Sequence, residues 1–241
     1  MAPLSPRRQA RTASHHRYPR ADDEAVEIVL TRAEIVAETI RQRAIAGKLR
    51  PGSHLSEGAL CEELAISRNT LREAFRALAR EGILRHEANR GVFVATPSMS
   101  TIIDVYRVRR MIECPALAQA HPKHPGVQHM REAIKAAEIA RDAGDWLGVG
   151  SADIAFHAAI VELADSARLS RFFAQVSLEL RLVFGLIQDP EFLHGPYLSQ
   201  NRALLKLLEE ERSAEAARSL ETYLVQAERF ILAAYSRVLP E

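Results

Sequence analysis

Residues 67–82 read SRNTLREAFRALAREG, and two spacings inside this stretch decide the fold. Leu71, Ala74, Phe75 and Leu78 recur at i, i+3, i+4 and i+7, which is one apolar stripe of a helix. Arg68, Arg72 and Arg76 recur at every fourth position on another side. Ser67 supplies an N-cap, Asn69 and Thr70 fall in the first turn, and Gly82 stops the helix. Glu73 and Glu81 are its only acids, so the solvent side is cationic rather than mixed. A helix of this kind carries guanidinium and amide groups toward its N-terminal end, the end that a recognition helix points into a DNA major groove. Arginine pairs bidentately with guanine and asparagine with adenine, and further basic groups neutralise phosphates. Ser67, Arg68, Asn69, Thr70, Arg72 and Arg76 are therefore candidate DNA contacts.

Working outward, Val36, Ile40 and Ala44 recur every fourth position between Thr31 and Ala46, predicting an amphipathic helix that Gly47 stops. Leu49-Arg50-Pro51-Gly52 is a turn. Ser56 caps a short second helix with Leu60 and Leu64 facing inward, and Ala65-Ile66 bends into the third. Beyond Gly82, Ile83–His86 and Val92–Ala95 read as two short strands joined by the turn-forming tip Glu87-Ala88-Asn89-Arg90-Gly91. This hairpin is a wing. Arg90 at its tip is a candidate backbone contact, and Gly91 permits close approach. Residues 25–96 are thus expected to form a winged helix-turn-helix. Residues 1–24 hold five arginines and few large apolar side chains, so a disordered basic arm able to touch phosphates is expected there.

After a linker at residues 97–100, the pattern is helical to position 238. Helices are expected at about 100–120, 127–143, 145–165, 167–188, 197–211 and 213–238, with breaks at His121-Pro122, Gly144, Asp189-Pro190 and Gly195-Pro196. Short connections between them predict an antiparallel bundle over residues 101–238, whose interior is where such folds build ligand sites. The fold class is mainly α: an N-terminal winged helix-turn-helix with a small β-hairpin wing and a C-terminal all-α antiparallel bundle.

Composition narrows the function classes. With 241 residues, 47% hydrophobic and 26% charged, the chain suits two packed domains. No apolar run approaches the roughly 20 residues of a membrane-spanning helix, and the start lacks the apolar stretch of a secretory signal, so a cytoplasmic location is expected. Cys61 and Cys114 lie far apart in apolar-periodic segments and read as buried free thiols. Net charge is +1, yet it divides unevenly at Ser98: 16 basic against 12 acidic residues before it, 16 against 19 after it. A basic front half on an acidic rear half fits a chain of which one domain meets nucleic acid. An enzyme on the bundle would need a nucleophile–base set, a phosphate-binding glycine loop or a complete metal motif, and the sequence shows none. A nonspecific architectural DNA protein fits poorly with a near-zero net charge.

The segment from Pro51 to Val94 resembles the winged helix-turn-helix of the GntR family of regulators. The matching positions are Pro51, Gly52, Leu55, Glu57, Leu60, Leu64, Ser67, Arg68, Arg72, Glu73, Ala74, Leu78, Glu81, Gly82, Gly91 and Val94. The rear half resembles the FadR-type (FCD-type) ligand-binding domain, through Tyr106–Glu113 and through Asp153-Ile154-Ala155-Phe156-His157. The resemblance implies a homodimeric repressor or activator of a metabolic operon, with the favoured reading a repressor released or modulated by a small effector such as a carboxylic or sugar acid. It also implies a pocket in which a divalent metal, zinc or similar, is held by the Asp and His of the second motif and two further histidines. Asp153 and His157 stand one helical turn apart and share a face. The other two positions fall at Asn201 and Tyr223, a carbonyl oxygen and a phenol neutral near pH 7, so four strong ligands become two. The reading is then a metal-free pocket in which Arg109, Asp153, His157, Asn201 and Tyr223 hydrogen-bond a polar effector. Arg181 joins them on helical phase alone, and His194 on the preceding loop is a substitute ligand should an ion bind.

Overall fold

The computed structural model describes residues 30–187 and 189–238. The basic arm expected over residues 1–24 lies outside them. Helix α1 (Arg32–Ile45) starts where Thr31 accepts the Glu34 amide at 3.2 Å and Glu34 accepts the Thr31 amide at 2.7 Å, a reciprocal cap that satisfies two otherwise orphaned donors. After the turn come strand β1 (His54–Leu55), α2 (Glu57–Glu63) and α3 (Arg68–Arg80). Leu71, Ala74, Phe75 and Leu78 of α3 bury against Val36, Ala37, Ile40 and Ala44 of α1. The exposed arginines of α3 are left on the opposite side.

Strands β2 (Leu84–Glu87) and β3 (Gly91–Val94) form the wing, antiparallel with Arg85 opposite Phe93 and Glu87 opposite Gly91. Its tip needs left-handed backbone at Asn89 (φ 61°) and Gly91 (φ 102°), which asparagine and glycine adopt most readily. The sheet has three strands rather than the expected two, in the order β1-β3-β2. Two residues are too few to show alternation in sequence. What seats β1 is the turn before it: the Gly52 amide donates to Val94 O at 3.0 Å and Val94 N returns to Ser53 O at 2.9 Å.

The rear half is a helical bundle of α4 (Met99–Ala118), α5 (Pro125–Asp142), α6 (Trp146–Glu162), α7 (Ala167–Leu186), α8 (Pro190–His194), α9 (Tyr197–Glu209) and α10 (Ser213–Val238). Helix α6 is the central one, packed by α4, α5, α7, α8 and α9. It buries Phe156, Ala159 and Ile160 along with the polar Asp153 and His157. Two starts differ from expectation for one reason. Proline is well placed at the first helical position, so Pro125 begins α5 two residues early and Pro190 begins the unexpected one-turn α8, capped by Asp189 on the Phe192 amide at 2.9 Å. Cys61 and Cys114 are free and half-buried rather than fully buried. No helix of the described residues is long and apolar enough to cross a membrane.

Helix α7 is buried on two sides. Val176, Leu180, Val183 and Phe184 enter the bundle core, whereas Leu178 and Leu182, one turn apart, enter the core of the front half. Burying a leucine contributes about 1.5–3 kcal/mol, so this pair is a substantial tie between the halves. Two glycines make the seam close. A Cβ on Gly47 would lie 2.7 Å from Arg181 Nη2, and a Cβ on Gly185 would lie 3.0 Å from the Pro51 ring.

Candidate DNA interface and effector site

The front surface brings together the residues that the sequence singles out. Ser67 accepts the Thr70 amide at 3.1 Å and its hydroxyl lies 2.8 Å from the Thr70 hydroxyl, so these two side chains serve the start of α3. Arg68, Asn69, Arg72 and Arg76 are exposed. Asn69 donates to Glu73 at 3.1 Å and Arg72 donates through Nε to Glu57 at 3.2 Å, contacts that orient both groups without burying them. On the wing, Arg90 lies over the Phe93 ring at 5.4 Å and pairs with Glu87 at 2.6 Å. Gly91 packs so closely on His54 that a Cβ would meet its ring at 2.8 Å. Between α3 and the wing lies a concavity of about 280 Å³ that Arg72, Arg76 and His86 line. His86 was not among the sequence candidates. Its strand is legible in the sequence, but the packing of β2 against α3 is a tertiary contact that no spacing reveals.

Inside the bundle, α4, α6, α9 and α10 converge on a buried polar cluster. Arg109, Glu113, Asp153, His157, Asn201 and Tyr223 are each at most 7% exposed. Arg109 Nε donates to Glu113 at 2.8 Å, and His157 Nδ1 lies 2.5 Å from the other Glu113 oxygen. Burial alone would raise the Glu113 pKa, but the Arg109 guanidinium and His157 outweigh it and hold the carboxyl below its usual range. Since an ionised carboxylate only accepts, His157 donates from Nδ1. His157 Nε2 is 3.1 Å from the Tyr223 hydroxyl, which stands 3.4 Å from Asp153, and Asn201 donates its amide to the same Asp153 oxygen at 2.8 Å. The Arg109 guanidinium also rests on the Tyr106 ring at 5.1 Å.

All five sequence-predicted pocket residues thus meet in one place. Glu113, which completes the network, ends the Tyr106–Glu113 motif and is not one of those five residues. Its i, i+4 relation to Arg109 was the available signal. Among the described residues, two atoms of the cluster lack partners: Arg109 Nη2, a donor, and Asn201 Oδ1, an acceptor. Arg181 and His194, also buried, line a cleft at the seam with the front half, with His194 still within electrostatic reach of Asp153.

A divalent metal does not fit these residues. Asp153 Oδ1 and His157 Nε2 are 3.9 Å apart, and the Tyr223 hydroxyl stands against both. Burial drives the Tyr223 pKa well above 10, so it offers a neutral phenol rather than a phenolate. Asn201 turns its amide nitrogen, not its carbonyl, to Asp153. Among the described residues no group of three or more His, Cys, Asp or Glu side chains could hold an ion.

Comparison with known proteins agrees with this architecture. The model for bacterial regulatory proteins of the gntR family matches residues 32–94, and that for the FCD domain matches residues 104–226. The chain is similar to a solved GntR regulator structure from Rhodococcus sp. RHA1, with 39% identity, a TM-score of 0.82, and coverage of 86% of this chain and 100% of that one. It is 24% identical to the galactonate operon transcriptional repressor of Escherichia coli (strain K12), covering 84% of this chain and 97% of the relative. It is 26% identical to the Nta operon transcriptional regulator of Aminobacter aminovorans, covering 81% and 94%. The chain therefore belongs to the GntR family of bacterial transcription regulators, with an FCD domain in its rear half, and not to an enzyme family.

Proposed function

We propose that this regulator is a homodimeric repressor of a metabolic operon, and that a small hydroxy acid or sugar acid bound among Arg109, Asp153, His157, Asn201 and Tyr223 releases it from its operator. The observation that carries the effector reading is the pair of unpartnered atoms in the closed cluster, Arg109 Nη2 and Asn201 Oδ1. Buried polar groups rarely go unpaired. A carboxylate accepts from the first and a hydroxyl donates to the second, which is the chemistry of a hydroxy acid. The galactonate operon named for the E. coli relative is of the same class. In this reading residues 25–96 bind DNA, residues 97–100 link, and residues 101–238 sense and dimerise, in the cytoplasm. Exposed Ile103 and Phe172 line a groove between α4 and α7, and a second copy covering them would give the dimer its apolar contact.

DNA contact is assigned to Ser67, Arg68, Asn69, Thr70, Arg72, Arg76, Arg90 and Gly91. The effector can shift DNA affinity only by the difference in its own affinity for the two arrangements of the dimer. The test is fluorescence anisotropy on the promoter beside the regulator's own gene, titrated with galactonate, gluconate and simple hydroxy acids. Arg109→Ala is expected to bind the duplex as the parent does and to lose release by the acid. Unchanged release in that variant removes the assignment.

A further inference from the structure

A second buried cation faces a different space. The turn Gly47–Pro51, the C-terminal half of α7 and α8 enclose a cleft of about 690 Å³ between the two halves of the molecule. Arg181 lines it and is 3% exposed. Its Nη2 donates to Leu147 O at 3.1 Å, while Nη1 has no hydrogen-bond partner among the described residues. Arg109 has a carboxylate from its own helix. Among the described residues Arg181 has no comparable ion pair, and burial holds its pKa below the usual guanidinium value despite Asp145 nearby. A buried charge without a counter-charge is costly, and water hydrates it without neutralising it.

The surroundings are shaped around this group. A Cβ on Gly150 of α6 would lie 2.7 Å from Arg181 Nη1 and would also strike His194 Nε2, so the missing side chain is what admits both groups to one spot. Burial, helped by the Arg181 charge, outweighs the opposing pull of Asp153 and pushes His194 down to about 4. It is neutral near pH 7, free to offer an N–H, and adds no second buried charge. Arg50 stands exposed on the cleft lining, and Leu49, Phe184 and Ile187 supply apolar walls. The space therefore combines one unsatisfied buried cation, a surface cation and a greasy body.

We propose that this cleft is a second anion site, distinct from the Arg109 cluster, which takes a small carboxylate with an apolar body and thereby ties the Gly47–Pro51 turn of the DNA-binding half to α7. The carboxylate accepts from Arg181 Nη1, the apolar body lies against Phe184, and Arg50 closes the site from the turn side. Such a ligand acts on the seam directly, so its influence on DNA binding does not pass through Arg109.

The test is calorimetric titration of the full-length protein with benzoate and, separately, inorganic phosphate, followed in parallel by fluorescence. Trp146 is the chain's one tryptophan and precedes Leu147, whose carbonyl accepts from Arg181. Benzoate is expected to give saturable heat with a matching change in Trp146 emission, and phosphate to bind more weakly. Arg181→Gln should weaken benzoate by about tenfold or more, the scale of one lost charge-assisted hydrogen bond. Arg50→Gln is a surface change that leaves folding untouched, and it should weaken benzoate by a smaller factor. Arg109→Gln should leave the benzoate titration in place, which separates failure here from failure of the effector assignment. Absence of saturable benzoate binding overturns the proposal. So does tighter binding of phosphate than benzoate, or an affinity that falls in Arg109→Gln and stands unchanged in both other variants.

Discussion

At the scale of single residues, acids hold the basic groups of the front surface in place. Glu57 takes the Nε of Arg72 at 3.2 Å, which leaves the two terminal nitrogens of the guanidinium for the planar, two-pronged pairing that guanine accepts. Arg72→Ala is expected to cost about 1–3 kcal/mol of operator binding and to relax preference at one base position. Anisotropy on the operator and its single-base variants checks this, and an equal loss on every duplex would reassign Arg72 to a phosphate. The stripe of arginines was legible in sequence because a helix converts spacing into direction. The cluster around His157 was legible only in part. Asp153 and His157 share a helix, so their spacing places them together, whereas Asn201 and Tyr223 were reached through the family resemblance. Glu113 could be reached through its i, i+4 spacing to Arg109, but its second partner His157 is 44 positions away, a distance that no periodicity reports.

At the scale of elements, the start of α3 matters most. The four amides at a helix N-terminus have no partner within the helix, and Ser67 satisfies that of Thr70 at 3.1 Å. Ser67→Ala should lower the unfolding free energy by about 1 kcal/mol, measured by urea titration, and should weaken DNA binding in step because Arg68 and Asn69 lie in the frayed turn. A substitution that weakens DNA binding with unchanged stability would instead make the Ser67 hydroxyl a direct contact. Long helices were recovered from sequence nearly intact, with ends that moved by one to a few residues. The two elements that went unseen, β1 and α8, are held by partners outside themselves: β1 by backbone bonds to β3, α8 by burial of Leu193 and His194 against the bundle.

At the scale of the whole molecule, the buried His194 links stability to pH. An unfolded histidine takes up its proton near 6.5, whereas His194 in the fold does so only near 4. The unfolded chain therefore binds more protons throughout that interval, and each step down in pH favours it. The contribution is complete above about pH 6.5 and is lost as pH falls toward 4, amounting to on the order of 3 kcal/mol. Thermal unfolding followed from pH 7 to pH 4.5 should show a falling Tm, with a shallower fall in His194→Gln. Equal slopes in the two proteins would mean that His194 is hydrated in solution.

Leu178 and Leu182 belong to the core of the front half although α7 belongs to the rear one. The reading head is thus bolted to the sensor rather than hung from it. Cut away at the linker, it would bare a greasy flank of α1 to water and lose part of its own interior. Movement in the bundle needs no flexible hinge to reach the front half: whatever slides or tilts α7 carries α1 with it, and α3, packed on α1, follows.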